Sequence, residues 1–263
     1  MAKNLEPRTI RGFHIERRAG AYLLVAGLIG VLSLLLVPFE RIAPDTGLHP
    51  IVLRLVSIIQ PAVLTIILII VGNALAPRVG LQAPLTQASA AGDPALPVLR
   101  EQFAPAAAGA VAVALILITY SLTVVPLLVE AREGEAFARL VANGPPLLTK
   151  ILYGGITEEL ITRWGLVSLF AWAAWRLSGS PAEVPHWVFW SAIVLAAALF
   201  AAGHLPLLFA LITAPPWWAI SAVLLGNAVP GVVFGWLFWK YGIEAAILAH
   251  AAAHVIATLL QLL

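Results

Sequence analysis

The chain has 263 residues, 61% of them hydrophobic and 11% charged, against about 25% charged in an average soluble domain. A net charge of +2 with no cysteine excludes disulfides, thiolate catalysis and thiolate zinc sites. It also lacks the basic footprint of a nucleic-acid partner. Mean hydropathy is +0.97, and several apolar runs are long enough to cross roughly 30 Å of hydrocarbon. The fold class is therefore all-α, a polytopic transmembrane helical bundle of about seven spans (seven to eight).

Residues 1–20 form a basic N-terminal arm with Lys3, Arg8, Arg11, Arg17 and Arg18, a topology determinant. Residues 21–130 hold the N-terminal transmembrane helices and a loop. The first span, 21–37, ends at Pro38; no small-residue cleavage site follows it, so it is expected to stay as an anchor. A short loop with Pro44, Asp45 and Pro50 leads to a second span at 51–76, where Arg54 can snorkel outward. The Gln, Ser, Gly and Pro content of 77–105 reads as a loop, with a brief interfacial turn at 98–103. The third span is 106–129.

Residues 131–146 form a surface helix: Phe137, Leu140 and Val141 share one side, and Asn143-Gly144-Pro145-Pro146 stops it. From 147 to 263 the chain forms the second transmembrane bundle, with spans at 147–175, 187–211, 217–239 and 243–263. Tryptophans at 172, 175, 187, 190, 217, 218, 236 and 239 mark the ends of these runs, since tryptophan favours the headgroup level. Loops with the N-terminal arm, Arg78, Arg100, Arg176 and Lys240 alternate with loops holding Arg41, Arg132, Arg139 and Lys150. The basic excess of the first set predicts an integral membrane protein with a cytoplasmic N-terminus.

The fourth span carries Glu158, Glu159 and Arg163 inside an otherwise apolar run. A charge at the bilayer centre costs roughly 2.5–3.5 kcal/mol, so an intramembrane cluster marks a functional site. Glu159 and Arg163 are i,i+4 and can pair. Glu158 is rotated by about 100° and needs partners from other helices. The later spans supply few polar groups: His204, Asn227, and His250 with His254 on one face of the last helix. Alone, His204 reads as a satisfied core histidine and Asn227 as helix–helix glue. Together the glutamates and histidines read as a site.

Two chemistries suit the set. Glu158, held by His204, can act as general base for a water attacking a carbonyl, with His250 and His254 donating to the oxyanion. Alternatively Glu158, His204, His250 and His254 can ligate Zn²⁺, whose water is the nucleophile, although His-Glu-x-x-His is absent. Outside catalysis, the same groups can serve a scaffold, an immunity protein or a proton-coupled transporter. A transporter would show an internal repeat, whereas all these buried polar groups lie in the second half of the chain.

Glu158-Glu159-x-x-x-Arg163, Phe200-x-x-x-His204 and His250-x-x-x-His254 resemble the three motifs of the CPBP family (CAAX protease and bacteriocin-processing enzymes, also called Abi). The likeness covers about residues 147–263. The resemblance implies an intramembrane endopeptidase, related to the CAAX prenyl proteases, acting on a membrane-associated and optionally prenylated peptide or protein in contact with membrane lipid. It implies that Glu158 activates water with His204, that Glu159 and Arg163 support the site, and that His250 and His254 form the oxyanion site. No cofactor is favoured, zinc being the alternative. The stretch 76–81 resembles a segment preceding this domain in prokaryotic members, which implies a prokaryotic cell membrane. His254 stands where the family has asparagine. Trp164 stands where it has glycine, and is expected to fill space in the substrate cavity.

Overall fold

A computed structural model describes residues 10–42, 47–130, 134–212 and 214–261. Lys3, Arg8, Pro44, Asp45 and Arg132 of the sequence reading lie outside them. The described residues are helical with no strand. In chain order the helices are α1 (Ile10–Ser33), continued by a 3₁₀ turn at Leu34–Leu36, α2 (Phe39–Ile42), α3 (Pro50–Leu75), a 3₁₀ turn at Ala76–Val79, and α4 (Pro84–Ala91). Then follow α5 (Ala95–Glu130), α6 (Gly134–Ala142), α7 (147–177), α8 (His186–Ala202), α9 (Leu205–Leu211), α10 (Trp217–Tyr241) and α11 (Ile243–Leu260). Helix α7 is assembled from Leu147–Thr149, Lys150–Glu158, Leu160–Val167 and Ser168–Leu177.

Among the described residues six helical stretches are long and apolar enough to cross a membrane: Glu16–Leu36, Pro50–Val79, Ala95–Glu130, His186–Leu211, Trp217–Tyr241 and Ile243–Leu260. The sequence predicts about seven spans; the charged α7, its fourth, is not one of these six but lies among them. It packs against α1, α3, α8 and α11, so the helix with the costliest residues is the one the others enclose. Small residues let the neighbours approach. A Cβ on Gly30 of α1 would collide with Thr157 and the Leu152 carbonyl, and one on Gly72 of α3 with Trp164. The α1–α7 seam is closed by Thr157 Oγ1 donating to Gly27 O (2.8 Å) and Thr149 Oγ1 to Ser33 O (2.9 Å).

Two segments differ from expectation. The basic arm is helical from Ile10, because hydropathy locates the membrane-crossing part of a helix and says nothing of a polar extension. The expected loop at 77–105 is largely helix: Pro84 opens α4, and α5 starts at Ala95 with Pro105 inside it. Proline suits a first helical turn, where its missing N–H is not needed. The turns between are made by Gly80 (φ 78°) and Gly92 (φ 79°) in the left-handed region, a glycine preference at helix ends.

A buried carboxylate ties this segment to the last helix. Glu244, 6% exposed, accepts from Thr86 N (2.8 Å) in the first turn of α4 and from Gln102 Nε2 (3.4 Å). Gln102 Nε2 also donates to Tyr241 O (2.8 Å). Glu244→Ala strands those donors. It is expected to cost about 1–3 kcal/mol, read as a lower unfolding temperature in detergent, while the folded fraction keeps the distant site described next.

Candidate active site

Helix α7 starts after Pro145-Pro146 and carries wide, π-type i→i+5 winding over Lys150–Glu158 and Leu160–Val167. Such winding is rare and recurs at functional sites. The backbone at Glu159 keeps φ −66° and ψ −40°, within the helical basin, so the helix runs through unbroken.

Its faces divide by partner. Thr149 and Thr157 meet α1, as above. Trp164, 4% exposed, turns to α3, where Nε1 donates to Asn73 Oδ1 (2.9 Å) and the ring packs against Phe238. The sequence reading placed Trp164 in the substrate cavity. It faces the core instead, because Gly72 opposite leaves room for an indole and Asn73 supplies the acceptor. Trp164→Phe is therefore expected to cost about 1 kcal/mol of stability, which thermal unfolding in detergent would check.

Glu159 and Arg163 form the ionic centre. Glu159 is fully buried and Arg163 is 2% exposed. Arg163 Nη1 lies 3.0 Å from Glu159 Oε1 and Nη2 donates to Gly231 O at 3.0 Å. A second Nη1 contact reaches Thr162 Oγ1. The guanidinium sits between the rings of Phe200 (5.5 Å) and Phe234 (5.4 Å), a geometry favourable to a desolvated cation. The same Glu159 Oε1 takes a 2.7 Å contact from His250 Nδ1. The sequence assigns His250 to the oxyanion and does not show this bond to Glu159. A helix sequence shows its own i,i+4 partners, whereas the pairing of α7 with α11 is a matter of tertiary packing. The contact fixes the ring, with Nδ1–H donating to the carboxylate and Nε2 left for the cavity.

His250 is stacked between Phe234 (4.5 Å, 18°) and His254 (4.9 Å, 28°). Both imidazoles lean over Gly154 of α7. A Cβ there would lie 3.1 Å from His254 Nε2 and 3.8 Å from His250 Nε2, so the glycine keeps the two Nε2 atoms in open space.

His204 sits where α8 ends at Ala202 and α9 restarts at Leu205 with Pro206 in its first turn. A straight span would have left His204 and His250 at different depths. The break at Gly203-His204 and the stack of Phe200, the Arg163 guanidinium, Phe234 and His250 bring them to one chamber. His204 Nδ1 contacts Phe200 O at 2.9 Å. A carbonyl can only accept, so the proton is on Nδ1 and Nε2 is available to a substrate or water.

That chamber is a cavity of about 610 Å³ lined by Glu158, His204, His250 and His254. Its walls are otherwise mostly apolar, including Leu34, Val37, Phe39 and Ile42 beyond α1 and Leu140 of α6. Leu140 brings α6 to one wall of the chamber. Lys150, Tyr153, Gly154 and Asn227 also line it. Lys150, Gly154 and Glu158 follow at intervals of four, a spacing visible in the sequence that marks one helix face. Asn227, read as glue, bonds only within its own helix, Nδ2 to Val223 O (2.8 Å), and presents itself to the chamber.

The four residues offered as zinc ligands do not converge. Among the described residues no three of His, Asp and Glu form a group that could hold a metal ion. Glu158 and His204 share the chamber without a hydrogen bond between them. A water molecule needs such a gap; two groups already bonded to each other leave none.

Compared with known proteins, residues 142–256 match the family model described as Type II CAAX prenyl endopeptidase Rce1-like. No curated protein and no solved structure matches the chain.

Proposed function

With residues 142–256 forming an Rce1-like domain of the CAAX protease family, carried by an integral membrane bundle, we propose that the chain is an intramembrane endopeptidase whose general base is Glu158. The observation that carries this reading is the single cavity onto which Glu158, His204, His250 and His254 all open. In it a water held between Glu158 and His204 attacks the carbonyl carbon of the scissile peptide bond. Its proton passes to the Glu158 carboxylate. The oxygen gains the negative charge and meets the Nε2–H groups of His250 and His254. When the C–N bond breaks, the proton on Glu158 moves to the leaving amine.

Glu159 suits a supporting part. His250 can donate from Nε2 while Nδ1–H is held by Glu159 only as an imidazolium, and the Glu159 carboxylate 2.7 Å away stabilises that cation. Removing one preformed oxyanion donor costs about 10²–10³ in rate in well-studied hydrolases. The chemistry needs no metal in this reading. The substrate is a membrane-associated peptide or protein segment, because the chamber is reached among apolar helices and its walls suit hydrocarbon or apolar side chains.

The test is cleavage of a fluorogenic prenylated peptide by purified protein, comparing wild type with Glu158→Ala and His204→Ala, with and without chelator. Both variants should lose cleavage while unfolding at the wild-type temperature, and chelator should have no effect. Unchanged cleavage in either variant overturns the assignment. Loss with chelator and recovery with zinc overturns the metal-free form.

A further inference from the structure

A second cavity, of about 410 Å³, shares no lining residue with the chamber. It is framed by the end of α10, the turn into α11, the first turns of α5 and the turn at Gly80. Its volume falls within the roughly 300–1,000 Å³ of small-molecule sites. Gly242 lets these segments close up, since a Cβ there would meet Pro84 and the Gln102 amide.

Three groups on its walls have no polar counterpart in the chain. Gln102, 2% exposed, spends its amide nitrogen on Tyr241 O and Glu244, while its Oε1 has no hydrogen-bond partner. An acceptor buried in that way calls for a donor. Glu101 and Lys240 line the same cavity and are exposed. Among the described residues neither forms an ion pair. Lys240 is nevertheless held in place: its Nζ lies 3.7 Å from the centre of the Trp239 ring, which is stacked on Phe189 of α8 at 4.9 Å.

The cavity thus offers one cation, one anion and one neutral acceptor. A ligand that answers all three carries an anion together with a cation that has N–H groups to give. Position identifies its source. Trp239, Lys240 and Tyr241 end a membrane-crossing stretch, and residues of these types favour the level of the lipid headgroups. A phosphate and a primary ammonium occur together at that level in phosphatidylethanolamine.

We infer that this cavity binds the headgroup of a phosphatidylethanolamine-type lipid. The phosphate meets Lys240, and the ammonium donates to Glu101 and to Gln102 Oε1. The headgroup then bridges α5 and α10 beside the junction that Glu244 makes with Thr86 and Gln102. Because the site exists only in the folded chain, its occupation stabilises the bundle by mass action. A choline headgroup has the phosphate but no N–H, and a glycerol headgroup has no cation for Glu101, so the amine is what the site selects.

The experiment measures binding of three lipids with identical short acyl chains to the purified full chain in detergent, by native mass spectrometry. The lipids carry ethanolamine, choline or glycerol headgroups, and soluble phosphoethanolamine is a fourth probe. The ethanolamine lipid should bind about tenfold or more tighter than the other two, the scale of one hydrogen bond to a charged group. It alone should raise the unfolding temperature. Glu101→Gln should bring the ethanolamine-to-choline ratio toward one, and Lys240→Gln should weaken all three lipids, since each has a phosphate. Both side chains are exposed, so both variants should unfold at the wild-type temperature without lipid. Equal binding of the ethanolamine and choline lipids by wild type overturns the inference, as does a Glu101→Gln/Lys240→Gln protein that keeps the wild-type preference. Phosphoethanolamine binding as tightly as the lipid overturns the lipid as the ligand. No readout depends on peptide cleavage, so the result stands apart from the endopeptidase reading.

Discussion

Glu158→Gln should lower kcat/KM by about 10²–10⁴-fold, the usual share of a positioned general base, and leave the unfolding temperature near that of wild type. The two halves of that expectation have separate causes. Glutamine keeps the volume and the hydrogen-bonding oxygen but cannot take the proton from water, so the attacking hydroxide is no longer generated in place. Stability is insulated because the Glu158 side chain has no hydrogen bond joining it to His204 and opens onto the chamber, so its loss strands no partner. The adjacent residue behaves in the opposite way.

Arg163→Met is expected to destabilise the protein by about 3–5 kcal/mol, because removing one partner of a buried ion pair leaves the other charge without compensation. Glu159 would remain at zero exposure with one oxygen, Oε2, already lacking a partner. Met fills the slot between Phe200 and Phe234, which keeps the packing loss small and isolates the electrostatic cost. The double variant Glu159→Gln/Arg163→Met should regain part of the lost stability, since no charge is then left buried alone. It should be inactive, because His250 then lacks the carboxylate that orients it. Thermal unfolding of the two variants, followed by peptide cleavage on the folded fractions, separates the two effects. A double variant no more stable than Arg163→Met would show that the ion pair is not the source of the loss.

The neighbouring carboxylates also show how much a sequence can carry. Charged groups in an apolar run stand out because lipid makes them costly, so Glu158, Glu159 and Arg163 were visible at once, and the intervals Glu159–Arg163 and His250–His254 follow from helical periodicity. The bundle was legible for the same reason, since hydrocarbon thickness sets the length of each span. Partnerships between helices were less accessible. Nothing in the spacing tells that His250 on α11 bonds Glu159 rather than Glu158, nor that Trp164 turns to Asn73 on α3, because each depends on which faces two distant helices bring together. Local geometry could mislead too. Prolines at 84 and 97 read as a loop although each serves a first helical turn. The conflict in depth between His204 and His250 was visible in the sequence; its resolution, a break at Gly203-His204 before Pro206, needed the folded chain. Lys150 was read as a boundary charge, and only the cavity shows it facing the same space as Glu158.

The central claim is that Glu158 activates water and does not itself attack the peptide. A single turnover in ¹⁸O-water, with enzyme in excess over peptide, tests it most directly. The account predicts one ¹⁸O in the new carboxyl group of the first-turnover product and none in Glu158. First-turnover product carrying only ¹⁶O, with the label recovered in the Glu158 side chain, would mean that the carboxylate forms a covalent intermediate, and would contradict it.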